Sequence, residues 1–295
     1  MRKEEIIAIT NEELVNKLGA EQLEWFRKVI YRYRKRDLLF FNVEFHLLSE
    51  LENVDKNVAG RYIFQELTEK TEEIHKIYIL DKQLDDYKNN YFAKNYWTKF
   101  LKNEVIDTIR HEILHAYVKE KFRYLCKINN YEADASIIFL MYLQFFRVKS
   151  GHDCAYSYKY SEIYKKVRGC KNYEEFYLLV VDTIRILNDI QGKLKDKYED
   201  KSIKISFGSR NSSLYKFIGA KSKYIVKKEE KLKLMEVEAI TFRIGSATPI
   251  DKIEELINKK LKNREVAEIR EIKKIYMKKV GEKIYSKEIV LDEAS

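Results

Sequence analysis

The sequence predicts an α+β protein, mainly helical, on three observations. Of its 295 residues only one is proline (Pro249) and nine are glycine, so few positions interrupt a helix. Several long stretches repeat apolar residues every three to five positions, as a helix face does. Before residue 80, short stretches alternate apolar and polar side chains, as half-buried strands do. The chain is 45% hydrophobic and 35% charged, which gives it enough apolar surface for a core and separates it from disordered compositions.

Taken in order, Thr10 and Glu13 have capping-box spacing and open a helix to about Arg34. Its stripe is Leu14, Leu18, Leu23, Phe26, Ile30 and Tyr33. Residues 38–48, 57–64 and 73–80 read as strands, the last being the clearest, with Ile74, Ile77 and Ile79 among polar neighbours. From about Asn95 the period becomes helical through Trp97, Leu101, Val105, Ile109 and Leu114. A second, strongly apolar helix is expected over 131–148. "SGHDC" ends it, and a third helix reaches about Val167. Asn172 and Glu175 start another that runs to about Tyr198. Beyond it the texture changes to alternating strands, then to an amphipathic helix or helix pair after Thr248 and Pro249. The expected division is a domain over 1–200 and a basic α+β region over 201–295.

"TIRHEILHAY", residues 108–117, contains two of only five histidines. Four residues apart on a helix, His111 and His115 share one face, where both imidazoles can reach one ion. Glu112 stands beside the first, placed to take a proton from water that the ion has acidified. Two histidines and a glutamate in HExxH spacing supply two ligands and a base for hydrolysis. The plainer reading is a pair of core histidines beside a surface glutamate. A third ligand must come from elsewhere in the chain.

The stretches "VAGRYIF" (58–64), "HKIYIL" (75–80), "VIDTIRHEILHA" (105–116) and "SGHDCAY" (150–156), in that order, resemble the SprT-like family of zinc metallopeptidases, which includes Spartan-type DNA–protein crosslink proteases. The resemblance covers roughly residues 20–170. It implies a zincin-like core in which a short sheet packs on the HExxH helix, with one Zn2+ per chain and a protein substrate. Carried over, it makes His111, His115 and His152 the zinc ligands and Glu112 the general base, with Tyr156 as the aromatic after the third histidine. The chain departs from the family by a helical insertion at about 131–149 and by the absence of cysteines where the family has its C-terminal zinc ribbon. With Glu132 as third ligand, the protein would instead resemble glutamate-ligand zincins. Asp107 and Asp153 are placed where either could orient a histidine, the plainer reading being that both are solvated, and Tyr156 or Tyr160 could face a developing oxyanion. A degenerate, non-catalytic zincin that binds nucleic acid or protein is the alternative of another class.

The net charge is +10, which favours polyanionic partners. Arg32, Arg34, Lys35 and Arg36 beside Tyr31 and Tyr33, together with Lys227 and Lys228, are the candidate contacts to DNA, by charge and stacking. Three cysteines without CxxC spacing disfavour a disulfide framework and a cysteine zinc knuckle and fit a reducing compartment. The first ten residues lack a secretory apolar core, and residues 137–146 are too short to span a bilayer. A cytoplasmic protein is expected.

Overall fold

The computed structural model describes residues 6, 8–32, 37–52, 58–68, 71–92, 96–128, 130–150, 153–197, 204–207, 216–228, 231–244 and 248–255. For residues 98, 153–154, 157, 194–197, 204–207, 216–228 and 231–244 the description is of the backbone alone. The fold is mostly helical with a small three-stranded sheet in its N-terminal half.

Helix α1 is Asn11–Tyr31. The Thr10 hydroxyl accepts the Glu13 N–H at 3.1 Å, and the Glu13 carboxylate accepts the Thr10 N–H at 2.9 Å. This is the reciprocal cap that the spacing predicts. Its apolar stripe buries Leu14, Leu18, Phe26 and Ile30. Gly19 stands within the helix for a packing reason. A Cβ there would lie 2.5 Å from the ring of Phe45, so glycine is what lets the first strand cross so close. The helix stops at Tyr31, short of the expected Arg34, and Arg32 leaves it at φ 52°.

Strands β1 (Asn42–Leu47), β2 (Gly60–Gln65) and β3 (Ile74–Ile79) form a sheet in the order β1-β3-β2. β1 runs parallel to β3, with Asn42 opposite Ile74, and β2 runs antiparallel to it, with Gly60 opposite Ile79. β2 is thus an edge strand. Helix α2 (Asp81–Asn90) follows β3 directly. No element is predicted for these residues. Of its ten residues only Leu84 and Tyr87 are apolar, and with Gln83 they are the ones it buries; so short and polar a helix depends on that packing.

Helix α3 (Tyr96–Phe122) carries "TIRHEILHAY". From Val105 onward it is buried on almost every side, through Ile109, Ile113, Leu114, Ala116, Tyr117 and Val118. Helix α4 spans Ile137–Phe145, so the expected helix over 131–148 is a turn followed by a shorter helix. Ser136 sets the boundary. Its hydroxyl accepts the N–H groups of Ile138 and Phe139 at 3.1 and 3.4 Å, which fixes a helix start at 137. Residues 137–143 are all buried.

The expected helix before Val167 is two, α5 (Asp153–Tyr158) and α6 (Glu162–Gly169). The Ser161 hydroxyl caps α6 by accepting the Tyr164 N–H, a competing start signal inside the apolar run. Helix α7 (Tyr173–Lys197) buries Phe176, Val180, Ile184 and Leu187 against α4 and its neighbours. A second sheet, β4 (Lys204–Phe207), β5 (Lys216–Lys228) and β6 (Lys231–Ile244), has the order β4-β6-β5. Of the helix expected after Pro249, residues through Glu255 are described and begin with a turn at Ile250–Lys252. The rest lies outside the described residues. Among the described residues no helix is long and apolar enough to cross a membrane.

Cys126 is buried in the core, and burial pushes its thiol up to about 12. The thiolate is the reactive form. Iodoacetamide at pH 8 should therefore label Cys126 on the order of 10³-fold more slowly than an ordinary thiol, and at the ordinary rate once the chain is unfolded in urea. Peptide mass spectrometry of the time course reads both rates.

Candidate metal centre

The helical spacing of His111 and His115 does what it predicts. The two rings lie 4.9 Å apart on one face of α3, each about 8% exposed. The third group is Asp134. Its Oδ1 is 2.7 Å from His111 Nε2 and 3.4 Å from His115 Nε2, and ligand atoms of the three residues lie within 4.8 Å of one another.

Asp134 reaches the pair because the turn before α4 is tied down on α3. Tyr131 donates its hydroxyl to the Lys119 carbonyl at 2.8 Å. Lys119 Nζ pairs with the Glu132 carboxylate at 3.0 Å. The Glu132 carbonyl accepts Nδ1–H of His115 at 2.5 Å. Asn130 takes φ 56° at the start of this turn, a conformation asparagine tolerates better than most residues. The Ser136 cap then aims Phe139 back at the site. Its ring lies parallel to His115 at 4.0 Å and edge-on to His111 at 5.1 Å.

These contacts define the chemistry. A carbonyl only accepts, so the His115 proton sits on Nδ1 and the Nε2 lone pair faces the Asp134 carboxylate. Two acceptors 3.4 Å apart are reconciled by a proton or a cation between them. Burial alone would lower the His115 pKa. The Asp134 hydrogen bond, the charges of Glu112 and Asp134 and the Glu132 carbonyl outweigh it, and the pKa is raised. Burial alone would raise Asp134, yet its bonds with His111 and His115 hold it well below the usual carboxylate range. Two imidazoles and a carboxylate fit a divalent ion. Bonds of about 2.0–2.2 Å in tetrahedral geometry set ligand atoms roughly 3.4 Å apart. The His115–Asp134 spacing already matches, and the His111–Asp134 hydrogen bond has to open by a fraction of an ångström.

Glu112 is 6% exposed. It lies where two cavities meet. One, of about 580 Å³, extends past Gly60, Gln83, Phe100, Asp107 and Thr108. The other, of about 770 Å³, extends past Tyr62, Phe64, Lys119, Glu132 and Asp134. His111, Glu112 and Gly60 line both. Gly60, the glycine of "VAGRYIF", is where the edge strand β2 passes Glu112. A Cβ there would meet Thr108 Cγ2 at 2.7 Å and Glu112 Oε1 at 2.9 Å. Gly60→Ala should move the Glu112 carboxylate or lift the strand, costing about 1–3 kcal/mol in the latter case. Thermal melting and peptide turnover together should show a loss in at least one, and a variant normal in both would refute this contact.

The structure divides the sequence-derived site. His111, Glu112 and His115 converge as expected. Asp134, rather than its neighbour Glu132, meets the histidine pair; the Glu132 side chain is committed to Lys119 and its carbonyl to His115. His152 lies outside the described residues. Asp107 is partly buried and lies 3.7 Å from Lys149, and Asp153 is described in backbone only. Tyr156 and Tyr160 are exposed and bonded to each other at 2.9 Å, away from the residues lining the two cavities. Arg32 is exposed at the end of α1. Arg34, Lys35 and Arg36 lie outside the described residues, and Lys227 and Lys228 end β5 with their side chains undescribed.

The sequence reading passes over Tyr62, His75 and Glu120. The available signal is the scarcity of histidine: His75 sits in an apolar strand and is fully buried, where an imidazole must have partners. Comparison with family models, curated proteins and solved structures returns no match for this chain.

Proposed function

We propose that this chain is a metal-dependent hydrolase of peptide bonds, with His111, His115 and Asp134 as ligands and Glu112 as general base. The observation that carries the reading is the convergence of three ligand atoms within 4.8 Å, beside a buried carboxylate at the junction of two cavities. Zinc is the expected ion on ligand type, one per chain. Bound there, a divalent ion supplies Lewis acidity toward water and a substrate carbonyl. Glu112 accepts the water proton and passes it to the leaving amine. The two cavities accept an extended polypeptide on either side of Glu112, and the edge position of β2 leaves one side of that strand open to it.

This reading keeps the HExxH logic of the SprT-like resemblance and gives the third position to aspartate. A substrate presented on nucleic acid accords with the +10 charge, and its cleavage should fall as salt rises. Incubation of the purified chain with an unfolded protein substrate, with and without a chelator, tests the function. Cleavage that stops on chelation and returns with zinc supports the proposal. Cleavage indifferent to chelation, or no cleavage of any polypeptide by the zinc-loaded chain, refutes it.

A further inference from the structure

Beside the site runs a chain of polar groups, buried at its middle, that the proposed chemistry does not use. Glu120, on α3 beyond His115, accepts the N–H groups of Phe40 and Phe41 at 2.7 and 3.1 Å. It lies 3.2 Å from Nε2 of His75 on β3. His75 is 0% exposed, and its Nδ1 lies 2.9 Å from the hydroxyl of Tyr62 on β2. The Tyr62 ring is parallel to His115, at 5.9 Å and 6°. Glu120 thus ties the segment before β1, the middle strand and the edge strand to the helix that bears the metal ligands.

Proton placement follows from the partners. Glu120 is held below the usual carboxylate range: burial alone would raise it, and the bonds from His75, Phe41 and Phe40 outweigh that. An ionised carboxylate only accepts, so His75 carries its proton on Nε2. Its Nδ1 lone pair then accepts the Tyr62 O–H. The phenol proton is committed inward to His75 rather than outward to the cleft. Burial also raises the Tyr62 pKa well above that of a free phenol, so the hydroxyl keeps its proton. Both ends of the pair are therefore fixed, and Tyr62 has one ring orientation.

We infer that Tyr62 is a positioning residue for His115, and that the Glu120–His75 pair sets it. The Tyr62 ring on β2 and the Phe139 ring on α4 both lie parallel to the His115 imidazole, at 6° and 9°. The Glu132 carbonyl fixes the rotation of that imidazole about its own axis. Together they hold Nε2 toward Asp134 before any ion arrives. Groups that orient a ligand in this way are worth about 10–100-fold in metal affinity.

The inference rests on the metal-centre reading, so its test has one readout that needs no metal. Long-range ¹H–¹⁵N correlation on the metal-free chain reports imidazole tautomers directly. The wild type should show His115 protonated on Nδ1 and His75 on Nε2. Tyr62→Phe should retain the His115 tautomer and shift the His75 Nδ1 resonance, because the ring stays and the hydroxyl goes. Tyr62→Ala should shift and broaden the His115 ring ¹⁵N resonances, because the Glu132 carbonyl still holds the Nδ1 proton while one of the parallel rings is lost. Glu120→Gln should perturb His75 first and His115 less, without emptying a volume in the core. In the loaded protein, Tyr62→Ala should weaken metal binding about tenfold or more and alter the visible bands of the cobalt-substituted site, while Tyr62→Phe keeps most of both. Unchanged His115 ring resonances in Tyr62→Ala, or wild-type cobalt bands and affinity there, overturn the inference. A wild type that binds no metal but whose His115 resonances shift on Tyr62→Ala keeps the brace and refutes the metal function alone.

Discussion

Glu112→Gln should retain one metal ion per chain and the wild-type fold while hydrolysis falls by about 10²–10⁴-fold in kcat/KM. The amide has the shape of the carboxylate and fills the same space beside Gly60, so neither β2 nor the ligand helix has reason to move. What it loses is the ability to hold a proton between water and the leaving amine. The outcome is read by elemental analysis, circular dichroism and peptide turnover on one preparation. Hydrolysis at the wild-type rate with metal present would remove Glu112 from the mechanism. Loss of metal along with activity would make Glu112 part of the binding site rather than the base.

Asp134→Ala should empty the metal site. The variant removes a direct ligand, so its effect should exceed the roughly 10–100-fold expected of groups that only orient ligands. It also leaves His111 and His115 buried without the carboxylate they share, so the metal-free variant should be less stable as well. Glu132→Ala removes an ion pair with Lys119 but spares the carbonyl that binds His115, and should keep the metal. His152→Ala completes the set. Metal lost in the Asp134 variant and kept in the other two establishes the histidine–histidine–aspartate site. Metal lost in the His152 variant and kept in the Asp134 variant restores the three-histidine set implied by the SprT-like resemblance. In the wild type, uptake should weaken as pH falls. The His115 pKa is raised, and the imidazole must be neutral to bind, so protons compete with the ion.

The sequence by itself determined the parts of this protein that depend on local spacing. A spacing of four positions between two histidines places both on one side of α3 wherever that helix packs. Thr10 with Glu13, and Asn172 with Glu175, mark helix starts through bonds only three residues long. The alternation in "EIHKIYIL" identifies β3 without reference to its neighbours. The glycine in "VAGRYIF" falls at the start of β2, and its reason is the approach of that strand to Glu112.

Tertiary structure decided the rest, because it depends on which distant groups meet. Glu132 and Asp134 are acidic residues two positions apart, and sequence alone offers no means of ranking them. The choice is made by Tyr131, Lys119 and the Glu132 carbonyl, which dock the turn on α3 with Asp134 inward. The apolar run around 131–148 has the composition of one long helix. Ser136 shortens it, because its hydroxyl satisfies the free N–H groups of a new first turn. Helix α2 has only Leu84 and Tyr87 as apolar residues among its ten and is too short and polar to stand without packing. The Glu120–His75–Tyr62 chain joins residues 45 and 13 positions apart, across α3 and two strands. Local chemistry places a ligand pair on a helix face, whereas completing a buried polar site takes partners that only the folded chain brings within hydrogen-bond reach.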